Sequence, residues 1–306
     1  MKRDGQRGMI SHFLSLSCVL WVLMLFAACP IDAKQMVITA RKVAEELPVE
    51  PDAPIWAKAR AVEIPMASQV MVRPRIYSSS VKEIRVKALH NSRDIAFLLE
   101  WKDNTKDASI EMVHTFSDGA ALQFPSDPER KKPHFAMGDE DGVVNIWNWK
   151  AVFEEGAEKK TVYAMVDDYL SGREAGNIMS IALKTPVQNL IASGFGSLTA
   201  MEEKAQHVSG KGKWEAGNWK VIFRRSMKAA EKSEAHFKEG GLTPVAVAVW
   251  DGSNGERGAR KAVSTWYYAA LEMEAPGTVY LYPIVAFLGA GVLVIGLVIY
   301  LRGRFD

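Results

Sequence analysis

Two segments of the sequence carry side chains that could act as ligands. Met137 lies between Pro133 and Gly138 in the polar stretch KPHFAMGDED, where a methionine is unusual because its thioether normally fills gaps in a core. Lys261 lies in DGSNGERGARKAVSTWYYA (residues 251–269), between the apolar run TPVAVAVW and an aromatic group. Either residue could instead be ordinary, Met137 as a core side chain and Lys261 as a solvated charge.

Other signatures of catalysis are absent from the sequence. It contains no G-x-S-x-G, no H-E-x-x-H and no G-x-x-x-x-G-K-[ST] motif. Acidic pairs such as Asp139 with Asp141 are more often solvated than catalytic. The histidines beyond residue 33 show no pair at i, i+2 or i, i+4, so a zinc site would need long-range assembly. These histidines are His90, His114, His134, His207 and His236.

Charge and cysteine content exclude several classes of function. Lys plus Arg (38) nearly balances Asp plus Glu (36), so the net charge of +2 gives no sign of a nucleic acid partner. The only cysteines of the sequence, Cys18 and Cys29, lie in the first 33 residues. The rest of the chain therefore cannot hold a disulfide, a thiolate metal site, an iron–sulfur cluster or a covalent c-type haem.

The N-terminal segment, residues 1–33, is predicted to be a signal peptide. A basic start precedes an apolar core at residues 13–28. Cleavage before Lys34 is one interpretation; lipidation at Cys29 and an uncleaved anchor are the alternatives. Export would place the following domain on the outer, periplasmic side of the membrane.

The C-terminal run at residues 278–301 contains no charged residue. At 1.5 Å per residue it is long enough to cross a hydrocarbon core about 30 Å thick. Tyrosines lie at both of its edges, and Arg302 and Arg304 follow it, which fits the positive-inside rule. We therefore predict one transmembrane helix and a short cytoplasmic tail at residues 302–306.

Between these ends we expect a linker at residues 34–55 and a folded domain at residues 56–275. Short apolar or alternating runs bounded by turn formers predict β-strands in the domain. The clearest runs are 81–90, 94–101, 119–125, 142–149, 218–226 and 243–250. Many short strands joined by Gly, Asp, Asn and Pro favour a mainly β fold, an antiparallel β-sandwich with a few short helices. Such a scaffold leaves function to its loops.

Over roughly residues 55 to 270 the chain resembles a known family, the haem b-binding γ subunits of the type II dimethyl sulfoxide reductase group. That group includes ethylbenzene dehydrogenase, selenate and chlorate reductases, and nitrite oxidoreductase. The segments that carry the resemblance occur in matching order. They are VKALHNSRDIAFLLEWKDNTKD (86–107), FSDGAALQFP (116–125), MGDEDGVVNIWNWK (137–150), AGNIMSIALKTPVQNLIASGFGSLT (175–199), GKWEAGNWKVIFRRSM (212–227) and PVAVAVWDGSNGERGARKAVSTWYY (244–268).

In that family a methionine and a lysine bind the haem iron, and the matching positions here are Met137 and Lys261. The resemblance thus implies one non-covalent haem b per chain. A thioether favours reduced iron, whereas an amine nitrogen is a strong σ-donor. Losing the lysine proton costs roughly 4 to 5 kcal/mol at pH 7 from a reference pKa near 10.4, which iron bonding and a dry pocket must offset.

Neighbouring residues receive roles from the same resemblance. Arg257 and Arg260 could pair with haem propionates, because a guanidinium matches a carboxylate in a two-bond geometry. Trp147 and Trp266 could form walls around the haem. Solvent-facing arginines and ordinary core tryptophans are the alternatives. His134 is a second candidate for an axial ligand.

The resemblance implies electron transfer rather than substrate chemistry. In the family a molybdenum-containing α subunit and an iron–sulfur β subunit accompany the γ subunit, whose haem exchanges electrons with a cytochrome c or quinone pathway. The predicted C-terminal helix departs from periplasmic members without such a helix and favours a membrane-anchored complex of the nitrite oxidoreductase or nitrate reductase type. The alternatives are a membrane-tethered module that binds carbohydrate or another small ligand without a redox role, and a haem sensor acting alone.

Overall fold

A computed structural model describes residues 36–110, 112, 114–127, 132–154, 185–274 and 278–302. The signal peptide predicted at residues 1–33 and residues 303–306 of the predicted tail lie outside the described residues.

The described residues form fourteen β-strands, three short 3-10 helices and one α-helix, so the mainly β fold class is confirmed. The strands are β1 (Val37–Lys42), β2 (Val62–Pro65), β3 (Ala67–Ser68), β4 (Glu83–His90), β5 (Asp94–Lys102), β6 (Gly119–Pro125), β7 (Val144–Lys150), β8 (Val187–Ala192), β9 (Thr199–Ala200), β10 (Ser209–Glu215), β11 (Asn218–Ser226), β12 (Leu242–Trp250), β13 (Ala262–Val263) and β14 (Tyr267–Leu271). The 3-10 helices are Pro54–Lys58, Ala151–Phe153 and Glu203–Ala205, and the α-helix is α1 (Thr278–Arg302). All six strands predicted from the sequence are present.

One strand, β12, belongs to two half-sheets. Its first part, Leu242–Val245, pairs with β14 in a first half-sheet of order β10-β11-β5-β4-β1-β14. Its second part, Ala246–Trp250, pairs with β6 in a second half-sheet that continues through β7, β8 and β9. β13 pairs with the second part of β12 and with β3. The chain thus passes from one half-sheet to the other within a single strand.

Two predictions about the beginning of the fold are wrong. Residues Val37–Lys42 lie in the predicted linker but form β1, because the alternation in VITARK buries Ile38 and Ala40 completely. β1 fills the space between β4 and β14 and pairs with both in parallel. The sheet is therefore mixed rather than purely antiparallel.

Aromatic side chains hold the two half-sheets together face to face. Phe97 of β5 contacts Phe124 of β6 and Trp147 of β7, with ring centroids 5.7 and 6.2 Å apart. Trp149 contacts Trp219 of β11 with a centroid distance of 4.9 Å. Such pairs contribute about 0.5–1.5 kcal/mol each beyond the burial of their area. The sandwich core is thus an aromatic layer contributed by both half-sheets.

A buried charge cluster lies beside this layer. Arg225 and Glu234 are both fully buried, 3.8 Å apart, and the Arg225 guanidinium lies 5.2 Å from the Trp147 ring. Glu234 also pairs with His207 at 3.0 Å and accepts a hydrogen bond from Asn189. Burial favours the neutral form of Glu234, but the His207 hydrogen bond, a backbone N–H and the Arg225 charge outweigh it and lower the pKa of this carboxyl to about 2.

The predicted transmembrane segment coincides with α1, which contains Pro283 and whose described apolar side chains are exposed. No helix in the described part of the chain is long and apolar enough to cross a membrane. The membrane-spanning role of residues 278–301 is therefore not confirmed and stays a prediction.

Replacing Glu234 with glutamine should lower the free energy of unfolding by about 3 kcal/mol at pH 7, because it leaves Arg225 buried without its counter-charge. The folded pKa lies below the reference value of 4.5, so this stabilisation is present above about pH 4.5 and is lost as the pH falls towards 2. Urea denaturation at several pH values measures both effects. Glu231→Gln, which removes a partly exposed ion pair with Lys204, is the control and should cost less than about 1 kcal/mol. Equal losses in both variants would contradict a special role for Glu234.

Candidate cofactor-binding cavity

A cavity of about 460 Å³ lies on the face of the second half-sheet that is turned away from the aromatic core. Alternate strand residues form its floor, because successive side chains of a strand point to opposite faces. These residues are Gly119, Ala121 and Gln123 of β6, Ile146 and Asn148 of β7, Gln188 and Leu190 of β8, and Ala246, Ala248 and Trp250 of β12. The volume lies in the range of about 300–1,000 Å³ that is typical of cofactor and ligand pockets.

The sequence of β12 explains why there is space above the floor. In TPVAVAVW the valines Val245 and Val249 are fully buried in the core, whereas Ala246 and Ala248 face the cavity. Together with Ala121 of β6, these alanines give a floor of short apolar side chains. A flat apolar ligand is the shape that such a floor accommodates.

Met137 lies at one wall of this cavity in an unusual backbone conformation. Its φ angle is +67°, which non-glycine residues rarely adopt, and its side chain is only partly exposed. The alternative interpretation, in which Met137 is an ordinary core side chain, is partly correct because Met137 also packs against the hydrophobic cluster that contains Trp266. Strained backbone of this kind costs of order 1–3 kcal/mol and is found mainly at functional sites.

A buried glutamine that the sequence did not single out fixes the Met137 turn. The Gln123 carboxamide donates to the Phe135 carbonyl at 2.7 Å and accepts from the Met137 N–H at 2.9 Å. The Met137 carbonyl in turn accepts from the Gly194 N–H at 2.8 Å. These bonds satisfy the backbone N–H and C=O groups of Met137 and hold this strained residue in place.

Lys261 also lines the cavity, from the loop between β12 and β13. Its ammonium lies 4.8 Å from the centre of the Trp250 ring, and it forms no ion pair with a carboxylate of the described residues. Burial lowers the pKa of Lys261 to about 8 from the usual 10.5. Lys261 as a whole is partly exposed, but its ammonium is desolvated by the surrounding protein. Such an environment favours the loss of the proton.

The loop that presents Lys261 is held as firmly as the Met137 turn. Gln69, nearly fully buried, accepts from the Val72 N–H through Oε1 at 2.8 Å and donates from Nε2 to the Ala259 carbonyl at 2.8 Å. Its own N–H donates to the Lys261 carbonyl at 3.0 Å. The fully buried Glu256 accepts hydrogen bonds from the N–H groups of Ser80 and Asp251. Like Gln123, these residues escaped the sequence analysis because polar residues beside strands usually indicate a solvated surface.

The predicted partners of the cofactor are only partly brought together. Arg257 lines the cavity and stacks on Phe116 at 4.0 Å. Arg260 does not line it, although its Nε is buried without a hydrogen-bond partner among the described residues. His134 is exposed, does not line the cavity, and accepts from the Ala136 N–H through Nδ1. His134 is therefore not supported as an axial ligand.

The two predicted aromatic walls lie elsewhere. Trp147 is fully buried in the core, because the alternation of β7 turns Ile146 and Asn148 towards the cavity instead. Trp147 therefore does not line this cavity, and its contact with a haem stays a prediction. Trp266 does not line the cavity either, but it packs with Met137 and donates from Nε1 to the Pro133 carbonyl at 2.8 Å. It supports the turn that presents the thioether.

A second lysine, Lys150, also lines the cavity, at the end of β7, and the sequence analysis did not identify it. Its side chain is exposed and lies 5.6 Å from the Phe153 ring, yet desolvation by the surrounding protein also lowers the pKa of Lys150. The site therefore offers one neutral sulfur donor and two lysine amines whose pKa is lowered by desolvation, Lys261 and Lys150.

Comparison with known proteins places most of the chain in one family. Residues 53–262, which include Met137 and Lys261, match the family model described as ethylbenzene dehydrogenase. A Haloferax mediterranei protein, provisionally named a respiratory nitrate reductase heme subunit, is 29% identical over 226 residues, covering 74% of this chain and 69% of the relative. The chlorate reductase subunit gamma of Ideonella dechloratans is 26% identical (75% and 82% covered), and the dimethylsulfide dehydrogenase subunit gamma of Rhodovulum sulfidophilum is 25% identical (74% and 77% covered).

A likeness to solved structures is much weaker. A family 9 carbohydrate-binding module from Caldicellulosiruptor kristjanssonii covers 79% of this chain, and the chain covers 98% of that structure, with 10% identity and a TM-score of 0.39. At this level the likeness carries no conclusion about ligands.

Replacing Lys261 with methionine should stabilise the cofactor-free protein at pH 7 by about 1–2 kcal/mol, allowing for solvent screening of the partly exposed residue. Between pH 8 and 10.5 the unfolded chain binds more protons at this lysine than the folded chain, so wild-type stability rises with pH in that window. The advantage of the variant should therefore shrink towards pH 10.5. Urea denaturation at pH 7 and 10 tests this, with the exposed Lys106→Met as control. A gain independent of pH would show that the Lys261 ammonium is not desolvated.

Proposed function

The chain belongs to the ethylbenzene dehydrogenase family, and we propose that it is the haem-carrying γ subunit that transfers electrons in a molybdenum oxidoreductase complex. The names of the three relatives, a heme subunit and two gamma subunits, support this function. They do not favour the alternative of a carbohydrate-binding module without a redox role.

The observation that carries the proposal is the meeting of Met137 and Lys261 at one apolar cavity. The two residues are far apart in sequence and belong to different loops, each held by a buried glutamine. A thioether and a lysine amine at one cavity can supply the two axial donors of a bis-liganded haem iron. We propose Met137 and Lys261 as the axial ligands of one haem b, bound without a covalent link because residues 34–306 contain no cysteine.

When bound, the haem supplies one-electron chemistry through its iron. The contribution of Lys261 is an amine whose proton is easier to remove than that of an ordinary lysine. At pH 7 a pKa of about 8 reduces the cost of losing the proton from roughly 4–5 kcal/mol to about 1.4 kcal/mol. The amine is still mostly protonated at this pH, so binding a metal would displace one proton at this lower cost.

Met137 contributes a neutral sulfur in a fixed position. A thioether favours the reduced state of iron and so raises the reduction potential. Because Gln123 holds the backbone on both sides of the turn, the sulfur is positioned before any cofactor arrives, which reduces the ordering cost of binding. The apolar floor limits the access of water to the same space.

Arg257 is proposed to pair with a haem propionate. Its guanidinium is exposed at the cavity, and stacking on Phe116 restricts its motion. Arg260 is proposed as a second propionate partner, since its buried Nε–H donates a hydrogen bond to none of the described residues. Both contacts would be charge-assisted hydrogen bonds.

For its partners we propose a molybdenum-containing α subunit and an iron–sulfur β subunit, with a cytochrome c or quinone pathway as the external electron carrier. The gamma-subunit names of two relatives support a multi-subunit complex. We further propose nitrite or nitrate as the substrate of that complex, which the name of the Haloferax mediterranei relative supports.

Haem reconstitution of the full chain should give a visible spectrum of low-spin, six-coordinate iron. Lys261→Leu should lose the low-spin signature because it removes the nitrogen donor and supplies no other, and Met137→Leu should lower the reduction potential because it removes the thioether. Absorption spectroscopy and a spectroelectrochemical titration measure these changes. Lys150→Leu is the matched control, since Lys150 also lines the cavity, and its spectrum should equal that of the wild type. A colourless wild-type protein would overturn the haem assignment, and identical spectra for both lysine variants would remove Lys261 as a ligand.

We also propose that residues 278–301 anchor the protein in the membrane, with the domain on the periplasmic side. The exposed apolar side chains in the described part of α1 support this, because they would otherwise face water. Deleting residues 276–306 in a Cys29→Ser background, which removes the alternative lipid anchor, should release the protein from carbonate-washed membranes. Deleting only residues 303–306 should leave it bound. Equal membrane fractions for both deletions would contradict the anchor.

A further inference from the structure

Three buried aspartates meet at the base of the loop that carries Lys261. Asp103 directly follows β5, Asp118 directly precedes β6, and Asp251 directly follows β12. Asp103, Asp118 and Asp251 are 4%, 0% and 7% exposed, respectively. One carboxylate oxygen from each lies within 4.8 Å of the other two. Three carboxylates so close together inside a protein repel one another and are costly to desolvate without a partner of opposite charge.

The protein supplies these carboxylates with N–H and O–H donors but with no cation. Asp118 accepts from the N–H groups of Gly252 and Asp107, at 2.9 and 2.8 Å, and from Trp219 Nε1 at 3.0 Å. Among the described residues, no lysine, arginine or histidine forms an ion pair with any of the three aspartates.

One oxygen of the cluster is left over. Asp103 Oδ1 accepts from Thr105, but Asp103 Oδ2 is buried without a hydrogen-bond partner in the described part of the chain. A buried polar atom without a partner is rare in folded proteins and indicates an unseen ligand. Asp103 is one of the three clustered residues, so this buried, unpartnered oxygen lies on a carboxylate of the cluster.

We propose that Asp103, Asp118 and Asp251 bind a divalent cation of the calcium class. Calcium takes six to eight oxygen ligands at about 2.3–2.6 Å, so two oxygens of one coordination shell lie up to about 5 Å apart. Three carboxylate oxygens that all lie within 4.8 Å of one another meet this condition. Magnesium keeps several of its waters and prefers a near-ideal octahedron, for which a buried site of three carboxylates is less suited.

This cation would join three strand ends. It would connect β5 of the first half-sheet to β6 and β12 of the second, and it would fix the start of the loop that ends at Lys261. The backbone here is already close-packed, since a Cβ on Gly252 would lie only 1.9 Å from the Phe116 carbonyl oxygen. The cation site does not depend on the proposed haem, because none of its ligands lines the cavity.

Terbium luminescence tests the site directly in the full-length, haem-free protein. Tb³⁺ replaces Ca²⁺ at oxygen sites, and Trp219, whose indole N–H donates to Asp118, should sensitise its emission when excited. After EDTA treatment we expect sensitised emission with Tb³⁺, its displacement by Ca²⁺, and a rise in Tm on adding Ca²⁺ alone, because a ligand of the folded state stabilises it.

Asp118→Asn and the milder Asp103→Asn should lose the emission and the Ca²⁺-dependent rise in Tm. Asp94→Asn is the matched control, a buried aspartate that pairs with Arg224 outside the cluster, and it should keep both. The competing occupant is a proton, since burial and the charge of Asp103 raise the pKa of Asp118 to about 8. A wild-type protein without sensitised emission and with a Tm insensitive to EDTA and Ca²⁺ would overturn the cation site, as would equal binding by the Asp118 and Asp94 variants.

Discussion

The alternation of valine and alanine along β12 is the constraint on which the rest of the molecule depends. One face of this strand fills the sandwich core, and the other leaves the cavity open above Ala246 and Ala248. The same strand pairs with β14 at its beginning and with β6 at its end, so it also fixes the two half-sheets relative to each other. One short apolar sequence therefore determines both the packing of the core and the floor of the proposed site. A shift of register by one residue would turn the valines towards the cavity and the alanines towards the core.

The site combines two local arrangements that each cost stability. Met137 holds a positive φ angle, and Lys261 places an ammonium where water is scarce. Both costs are met by buried amide side chains, Gln123 and Gln69, which bind the backbone of the two loops rather than their side chains. The thioether and the amine thus stay free to bind a ligand, while hydrogen bonds hold the backbone that carries them. Proteins commonly accept such local strain where function requires it.

Much of the fold could be predicted from the sequence because its central strands have clear apolar patterns. β1 was missed because the charged residues around Ile38 and Ala40 hide a short alternation, and its parallel pairing depends on strands that are distant in sequence. In β7 nearly every residue is buried, so the pattern could not tell which face carries the core, nor that Trp147 lies on that face. Met137 and Lys261 could be selected by residue type and resemblance, but their shared cavity depends on tertiary structure.

The aspartates Asp103, Asp118 and Asp251 show a further limit. Each lies next to a predicted strand and looks like an ordinary turn residue, and only the packing of three strand ends brings them together. Adjacency to a buried strand was the one available sign.

The parallel pairing of β1 with β14 has a consequence for how the chain folds. The first strand of the domain, Val37–Lys42, has one neighbour in β14 (Tyr267–Leu271), which is the last of the described strands to be synthesised. One edge of β1 must therefore stay unpaired while the ribosome makes more than two hundred intervening residues, roughly the length of the domain itself. Contacts of such long sequence separation slow folding. Sheet closure is thus a late event in the folding of this protein, and a chain that ends before β14 exposes an edge to which other polypeptides can add.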